Sequence, residues 1–95
     1  MSVVSVVIAN WNGKHLLTEC LDTLRTQTRP ADEILVVDNG SSDGSQVVIR
    51  QRYPEVVLIE LQENKGFSVA NNIGVQRARG DYIALLNNDL LLDQR

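Results

Sequence analysis

The chain is 95 residues long, enough for one small domain with a real core and no more. Its 43% hydrophobic and 22% charged residues are ordinary globular values and exclude a disordered chain. A net charge of −3 excludes a nucleic-acid phosphate surface, which needs clustered Lys and Arg, but leaves room for one nucleotide held by backbone N–H groups, a helix N-terminus or a metal.

In chain order, Val3 to Ala9 is β-branched and almost continuously apolar, as in a strand of a parallel sheet covered on both faces. It lacks the basic flank of a signal peptide, and no apolar run approaches the roughly 18–20 residues of a membrane helix. Asn10-Trp11-Asn12-Gly13 breaks the strand, with Asn12 as expected N-cap of a helix from Lys14 to Thr26. Leu17, Leu21 and Leu24 give that helix one apolar face, which Cys20 shares. Cys20 is the single cysteine, so no intramolecular disulfide forms and a reducing compartment fits.

Glu33 to Asp38 is the second strand, followed by the turn-rich Asn39-Gly40-Ser41-Ser42-Asp43-Gly44. A helix over Ser45 to Arg52 turns Val48 and Ile49 inward, and Pro54 stops it. Val56 to Ile59 is the third strand and Glu63 to Phe67 a loop, in which Phe67 reads as a buried anchor. Ser68 is the expected N-cap of a third helix reaching Arg79, with Gly80 as its C′ residue. Tyr82 to Leu86 is the fourth strand, running into Asn87-Asn88-Asp89. The alternation predicts an α/β fold: an open parallel sheet with right-handed crossovers, in one domain over residues 1–95.

Ligands of such sheets bind outside the carboxyl ends of the strands. All four of those ends are polar and contain Asn, whereas the opposite loops are ordinary. Asp38 is costly at the end of a buried strand unless paired. It either accepts an N–H from a nucleobase edge or caps the turn through Gly40 and Ser41. Trp11, the single Trp, either flanks a base or sugar or closes the first helix onto the core, the commoner role for a lone Trp. Asn87, Asn88 and Asp89 offer hard oxygen ligands of the kind that suit Mg²⁺ or Mn²⁺ bridging a diphosphate, or else simply form a turn. Other sites lack their marks. No G-x-G-x-x-G follows the first strand, and no P-loop motif occurs. His15 is the single His and lies off the apolar helix face, so no Ser-His-Asp or Cys-His arrangement is supplied. Asn10 and Asn12 do not make the acidic pair of a response regulator, and the spacing around Asp43 is wrong for a calcium loop.

Taken in order, Val6 to Asn12, Leu21 to Thr28, Glu33 to Gly44, Asn64 to Phe67, Ala70 to Gly74 and Ala78 to Asp89 form one ordered set over nearly the whole chain. With it the chain resembles the N-terminal, nucleotide-binding half of family 2 inverting glycosyltransferases of GT-A fold. The Asn-Asn-Asp form is most similar to the rhamnosyl- and galactofuranosyltransferase-like branch, which builds bacterial surface polysaccharides. The resemblance implies strand order 3-2-1-4. It implies a nucleobase pocket lined by Ala9, Asn10, Trp11 and Asn12, with Asp38 hydrogen-bonding the base and Asn39 and Ser41 beside it. It implies that Gly66, Phe67 and Asn71 lie near the donor. Asn87-Asn88-Asp89 takes the place of the D-x-D motif: Asp89 contacts the divalent cation, Mg or Mn, while Asn87 replaces the first Asp and removes a charge.

The implied partners are a nucleoside-diphosphate sugar and a glycan or lipid-linked acceptor. The resemblance places the catalytic base and the acceptor site downstream of residue 95. The chain alone is therefore expected to bind nucleotide without turnover, and a non-catalytic nucleotide-binding module is the alternative reading. The parent enzyme is expected in the cytoplasm, at the inner face of the membrane. An open apolar edge at Tyr82 to Leu86, with Leu90 to Leu92 beyond it, predicts self-association.

Overall fold

A computed structural model describes residues 3–27 and 31–87. β1 (Val4–Asn10), α1 (Lys14–Arg25), β2 (Glu33–Asp38), α2 (Ser45–Arg52), β3 (Val57–Glu60), α3 (Phe67–Arg77) and β4 (Tyr82–Asn87) follow one another along the chain. The four strands form one sheet in the order β3-β2-β1-β4, as expected. Every pairing is parallel.

The core lies on both faces of the sheet, which explains why β1 and β2 are apolar at successive positions and do not alternate. On one face Val6, Ile8 and Val36 meet Leu17, Cys20 and Leu21 of α1 and Ile49 of α2. Full burial of side chains such as Leu17 and Leu21 contributes about 1.5–3 kcal/mol each. Burial also pushes the Cys20 thiol up to about 12, so it stays protonated and inert. Tyr53, just past α2, fills the same core at 1% exposure and donates its hydroxyl to Asp22 at 2.7 Å. On the other face Val7, Ala9, Leu35, Val37 and Ile59 meet Ala70 of α3. There Gly74 lets helix and strand touch, because a Cβ on it would stand 2.3 Å from Val7 Cγ1.

Most expected boundaries move by a residue or two, those of β3 and α3 among them. β3 begins at Val57, since Val56 packs into the core while the ladder starts with Leu35 opposite Val57. α3 starts at Phe67 behind Gly66, not behind Ser68, and its N-cap has no side-chain hydrogen bond. α3 also ends at Arg77, where Ala78 turns extended, so Gly80 is not its C′ residue. Gly80 instead presses on β1: its N–H donates to Ser5 Oγ at 2.8 Å, and a Cβ would lie 2.5 Å from that oxygen.

α1 and α2 cover one face and α3 the other. The chain therefore steps from β1 outward to β2 and β3, crosses below the sheet and returns to the far side of β1 as β4. The strand order reverses between β1 and β4, and the crevice at the carboxyl ends of that pair is where such sheets take ligands.

Candidate functional site

β1 and β2 end level with one another, Asn10 opposite Asp38, and β4 brings Asn87 opposite Ala9. The strand register alone thus gathers four of the sequence-predicted residues at one edge of the sheet.

Asp38 is 1% exposed, and burying a carboxylate so completely requires compensation. Four donors supply it. Oδ1 accepts from Asn10 Nδ2 at 2.9 Å and Ser41 Oγ at 2.7 Å, and Oδ2 accepts from the Ser41 N–H at 2.9 Å and Gln46 Nε2 at 2.8 Å. A carboxylate has about four acceptor sites, so Asp38 is full. The turn-capping role expected through Ser41 is present in this geometry, and a base N–H reaches Asp38 only by replacing one of these donors.

Ser41 joins this hub to the loop after β1: its Oγ accepts the Asn12 N–H at 2.8 Å, and Asn12 Oδ1 accepts the Ser42 N–H at 2.7 Å. Asn12 is therefore not the N-cap of α1. It sits at φ 51°, a left-handed conformation that Asn tolerates better than most residues. Gly13 occupies the cap position without a side-chain bond, and Asp43 of the neighbouring loop accepts the Lys14 N–H at 3.0 Å. Burial pushes the Asp43 carboxyl up, but the hydrogen bonds from Ser45 and Lys14 together hold it below its ordinary value.

The third loop is tied in through Asn39, which is wholly buried. Its Oδ1 accepts the Lys65 N–H at 3.1 Å and its Nδ2 reaches the Gly66 carbonyl at 3.4 Å. Gly40 has φ +75°, and a Cβ there would lie 2.8 Å from Glu63 Cα, so only glycine lets these two loops touch. Three loops are thus braced against each other before any ligand arrives.

The braced loops carry Trp11 after β1 and lead into Phe67 at the start of α3. Trp11 is 49% exposed, so it does not close α1 onto the core. Phe67 opens α3 at 48% exposure and is not the buried anchor expected of it. Gly66, at φ 90°, accepts no side-chain cap and receives its own brace from Asn64 Oδ1 at 2.8 Å. Asn71, in the second turn of α3, has a buried Oδ1 with no hydrogen-bond partner. Asn87 ends β4, while Asn88, Asp89 and Leu90 to Leu92 lie outside the described residues. Among the described residues no group of three or more His, Cys, Asp or Glu is placed to hold a metal, and no helix is long and apolar enough to cross a membrane. A cavity of about 410 Å³ at the end of the outer strand β3 is lined by Glu60, Leu61, Gln62, Glu63 and Lys65 and adjoins the Asn39-Gly40 turn through Glu63 and Lys65.

Sequence reasoning missed Gln46 and Asp43. Nothing in the local sequence distinguishes Gln46 from a solvated helix residue, because its partners are set by how α2 meets β2. Asp43 carried a signal, an acidic side chain two residues before Ser45, whose N–H and hydroxyl it accepts at 3.0 and 2.5 Å.

Residues 5–95 match the family profile described as Glycosyl transferase family 2. Among curated relatives, the poly(ribitol-phosphate) beta-glucosyltransferase of Bacillus spizizenii is 38% identical over 92 residues, covering 90% of this chain and 14% of its own length. Glycosyltransferase AglE of Haloferax volcanii is 35% identical over 91 residues, covering 90% of this chain and 30% of its own. Among solved structures, the mannosyltransferase PcManGT from Pyrobaculum calidifontis, in complex with GDP-Man and Mn²⁺, superposes with a TM-score of 0.83 at 29% identity, over 93% of this chain and 28% of that one. The chain thus spans less than a third of the length of each of these proteins.

Proposed function

The chain belongs to glycosyl transferase family 2 and has the Rossmann-like sheet of the GT-A fold, and we propose that it is the donor-binding part of an enzyme moving a sugar from a nucleoside diphosphate to an acceptor. The observation that carries this reading is the braced rim at the carboxyl ends of β1 and β2, with an exposed Trp11 above it, beside the strand reversal. Ala9, Asn10, Trp11, Asn12, Asn39 and Ser41 form the nucleobase end of this site, with Asp38 beneath them. Gly66, Phe67 and Asn71 flank the sugar and diphosphate. The orphaned Asn71 oxygen supports this, since a buried acceptor without a donor costs about 1–3 kcal/mol and a ligand hydroxyl would relieve it.

β4 delivers Asn87 to the crevice, and Asn88 and Asp89 follow it in sequence. Amide and carboxylate oxygens are the hard donors that Mg²⁺ or Mn²⁺ prefers, and the Mn²⁺ of the mannosyltransferase complex supports a divalent cation here. Such a cation, held by Asp89, would neutralise charge on the departing diphosphate. The Asn87-Asn88-Asp89 sequence favours the rhamnosyl- and galactofuranosyltransferase-like branch and transfer with inversion.

The described carboxylates on this edge have partners: Asp38 accepts from Asn10, Ser41 and Gln46, Asp43 from Ser45 and Lys14, Glu60 pairs with Arg50, and Glu63, largely exposed, touches Lys65. Asp38, the carboxylate at the floor of the site, is buried and has its acceptor sites filled, which supports a base and a glycan or lipid-linked acceptor site contributed from downstream. The 95 residues then act as one donor-binding subdomain, binding nucleotide without turnover, within a parent that works in the cytoplasm at the membrane's inner face.

Calorimetric titration with UDP, GDP and dTDP, with and without Mn²⁺, tests the reading. Saturable binding of one diphosphate, strengthened by Mn²⁺ in the wild type but not in Asp89→Ala, is the expected result. Sugar transfer by the chain alone would instead place a base within it, and binding of none of the three would remove the proposal.

A further inference from the structure

Gln46 lies in the first turn of α2, partly buried, between solvent and the 1% exposed Asp38. Its amide nitrogen donates twice, to Asp38 Oδ2 at 2.8 Å and to the Ser41 carbonyl at 2.9 Å. One side chain thus spans the loop from its helical end back to its strand end. α2 itself is short and buries only Ser45 and Ile49; Asp43 holds the Ser45 N–H and hydroxyl, and Gln46 is the side chain of its first turn that reaches the end of β2.

The consequences run outward through Asp38. With Gln46 in place, the carboxylate is held so that Oδ1 faces both Asn10 Nδ2 and Ser41 Oγ. Ser41 Oγ in turn accepts the Asn12 N–H, which sets the direction of the chain through Trp11 and Asn12. We propose that Gln46 is a positioning residue of the nucleotide site: it orients Asp38 and Ser41, and through them Asn10 and the Trp11-Asn12 turn that meets the nucleobase. Asp38 on this account works from behind the site and does not touch the ligand. The inference rests on the nucleotide-binding reading and adds to it the side chain that holds the base end in shape.

Three substitutions separate the hydrogen bonds from packing. Gln46→Glu keeps the shape but faces two acceptors with another acceptor. Gln46→Lys restores a donor to both, and Gln46→Ala removes the group and carries the comparison should the Glu variant fold poorly. Each is titrated with UDP, GDP and dTDP, beside Glu55→Gln, which breaks the exposed Arg25 pair far from the rim as a control for lost stability alone. Gln46→Glu is expected to weaken binding of the preferred diphosphate about tenfold, the size of one hydrogen bond to a charged group. Gln46→Lys should recover to within about threefold of the wild type, Gln46→Ala should fall between, and Glu55→Gln should bind as the wild type does. Wild-type affinity in both Gln46→Glu and Gln46→Ala, or no recovery in Gln46→Lys, overturns the proposal. Absence of binding by every variant, wild type included, removes instead the nucleotide reading on which it stands.

Discussion

At the scale of single residues, the site is built from groups that would be liabilities anywhere else. A buried carboxylate and two fully buried asparagines lie at the strand ends beneath three braced loops, and an orphaned amide oxygen lies in the second turn of α3. Asn71 allows function and stability to be separated. Its unpartnered oxygen carries a desolvation cost of about 1–3 kcal/mol that Asn71→Ala removes, so the melting temperature should hold or rise while nucleotide affinity falls. A lower melting temperature with unchanged affinity would assign Asn71 to the fold. Gly40 gives the opposite pattern. Gly40→Ala meets both the strained φ of +75° and the Glu63 backbone, and should lower stability by about 1–3 kcal/mol in denaturant titration. A loss near zero would mean that the two loops are not held as tightly as the geometry indicates.

At the scale of elements, the alternation of strands and helices was legible because each has a local cause. The β-branched runs of β1 and β2 and the spacing of Leu17 and Leu21 needed no knowledge of partners. What local sequence hides is who meets whom. Asn10 and Asp38 are 28 residues apart, and Asn12 and Ser42 are 30 apart, so the bracing that took Asn12 from N-cap to loop tie arises only from strand register. Gly80 similarly reads as a helix stop, yet it and Gly74 both serve close approach to β1. By residue type alone a lone Trp11 favours packing and Phe67 a buried anchor, because aromatic side chains usually are buried, yet both are about half exposed. β4 has a partner only in β1 among the described residues, and Tyr82, Ile83 and Leu85 are 63%, 38% and 51% exposed. An apolar edge of this kind pairs with other chains, so the 95-residue protein should self-associate in light scattering as concentration rises. Leu85→Lys should return it to monomer, and a wild type that stays monomeric at high concentration would contradict this.

At the scale of the whole molecule, both ends of the sheet are held by carboxylates that accept backbone and serine donors. At the amino end Glu33 accepts the Arg79 N–H and the Ser5 hydroxyl, which hold its carboxyl below the ordinary value. At the carboxyl end Asp43 is lowered by loop donors, and on the helical flank Arg25 lowers Glu55. Each folded-state pKa lies below its unfolded value. The stabilisation is therefore fully present above the ordinary 4.5 of Glu and 3.8 of Asp, and is lost as pH falls through the lowered folded values. The melting temperature should stay level from neutral to about pH 5 and fall below about pH 4.5, with a shallower fall in Glu33→Gln. A melting temperature unchanged down to about pH 3 would show that these contacts contribute nothing. The fold thus supplies a platform whose carboxyl edge is braced by the loop hydrogen bonds, and we propose that a nucleotide binds there. Amide chemical-shift mapping with the diphosphate chosen by titration tests it most directly. Perturbations confined to Asn10 to Asn12, Asn39 to Ser41, Gly66 to Asn71 and the end of β4, with Asp32, Tyr53 and Arg79 at the opposite edge silent, are the result predicted. Shifts centred on the β3 cavity at Glu60 to Lys65, or on the amino end of the sheet, would contradict it.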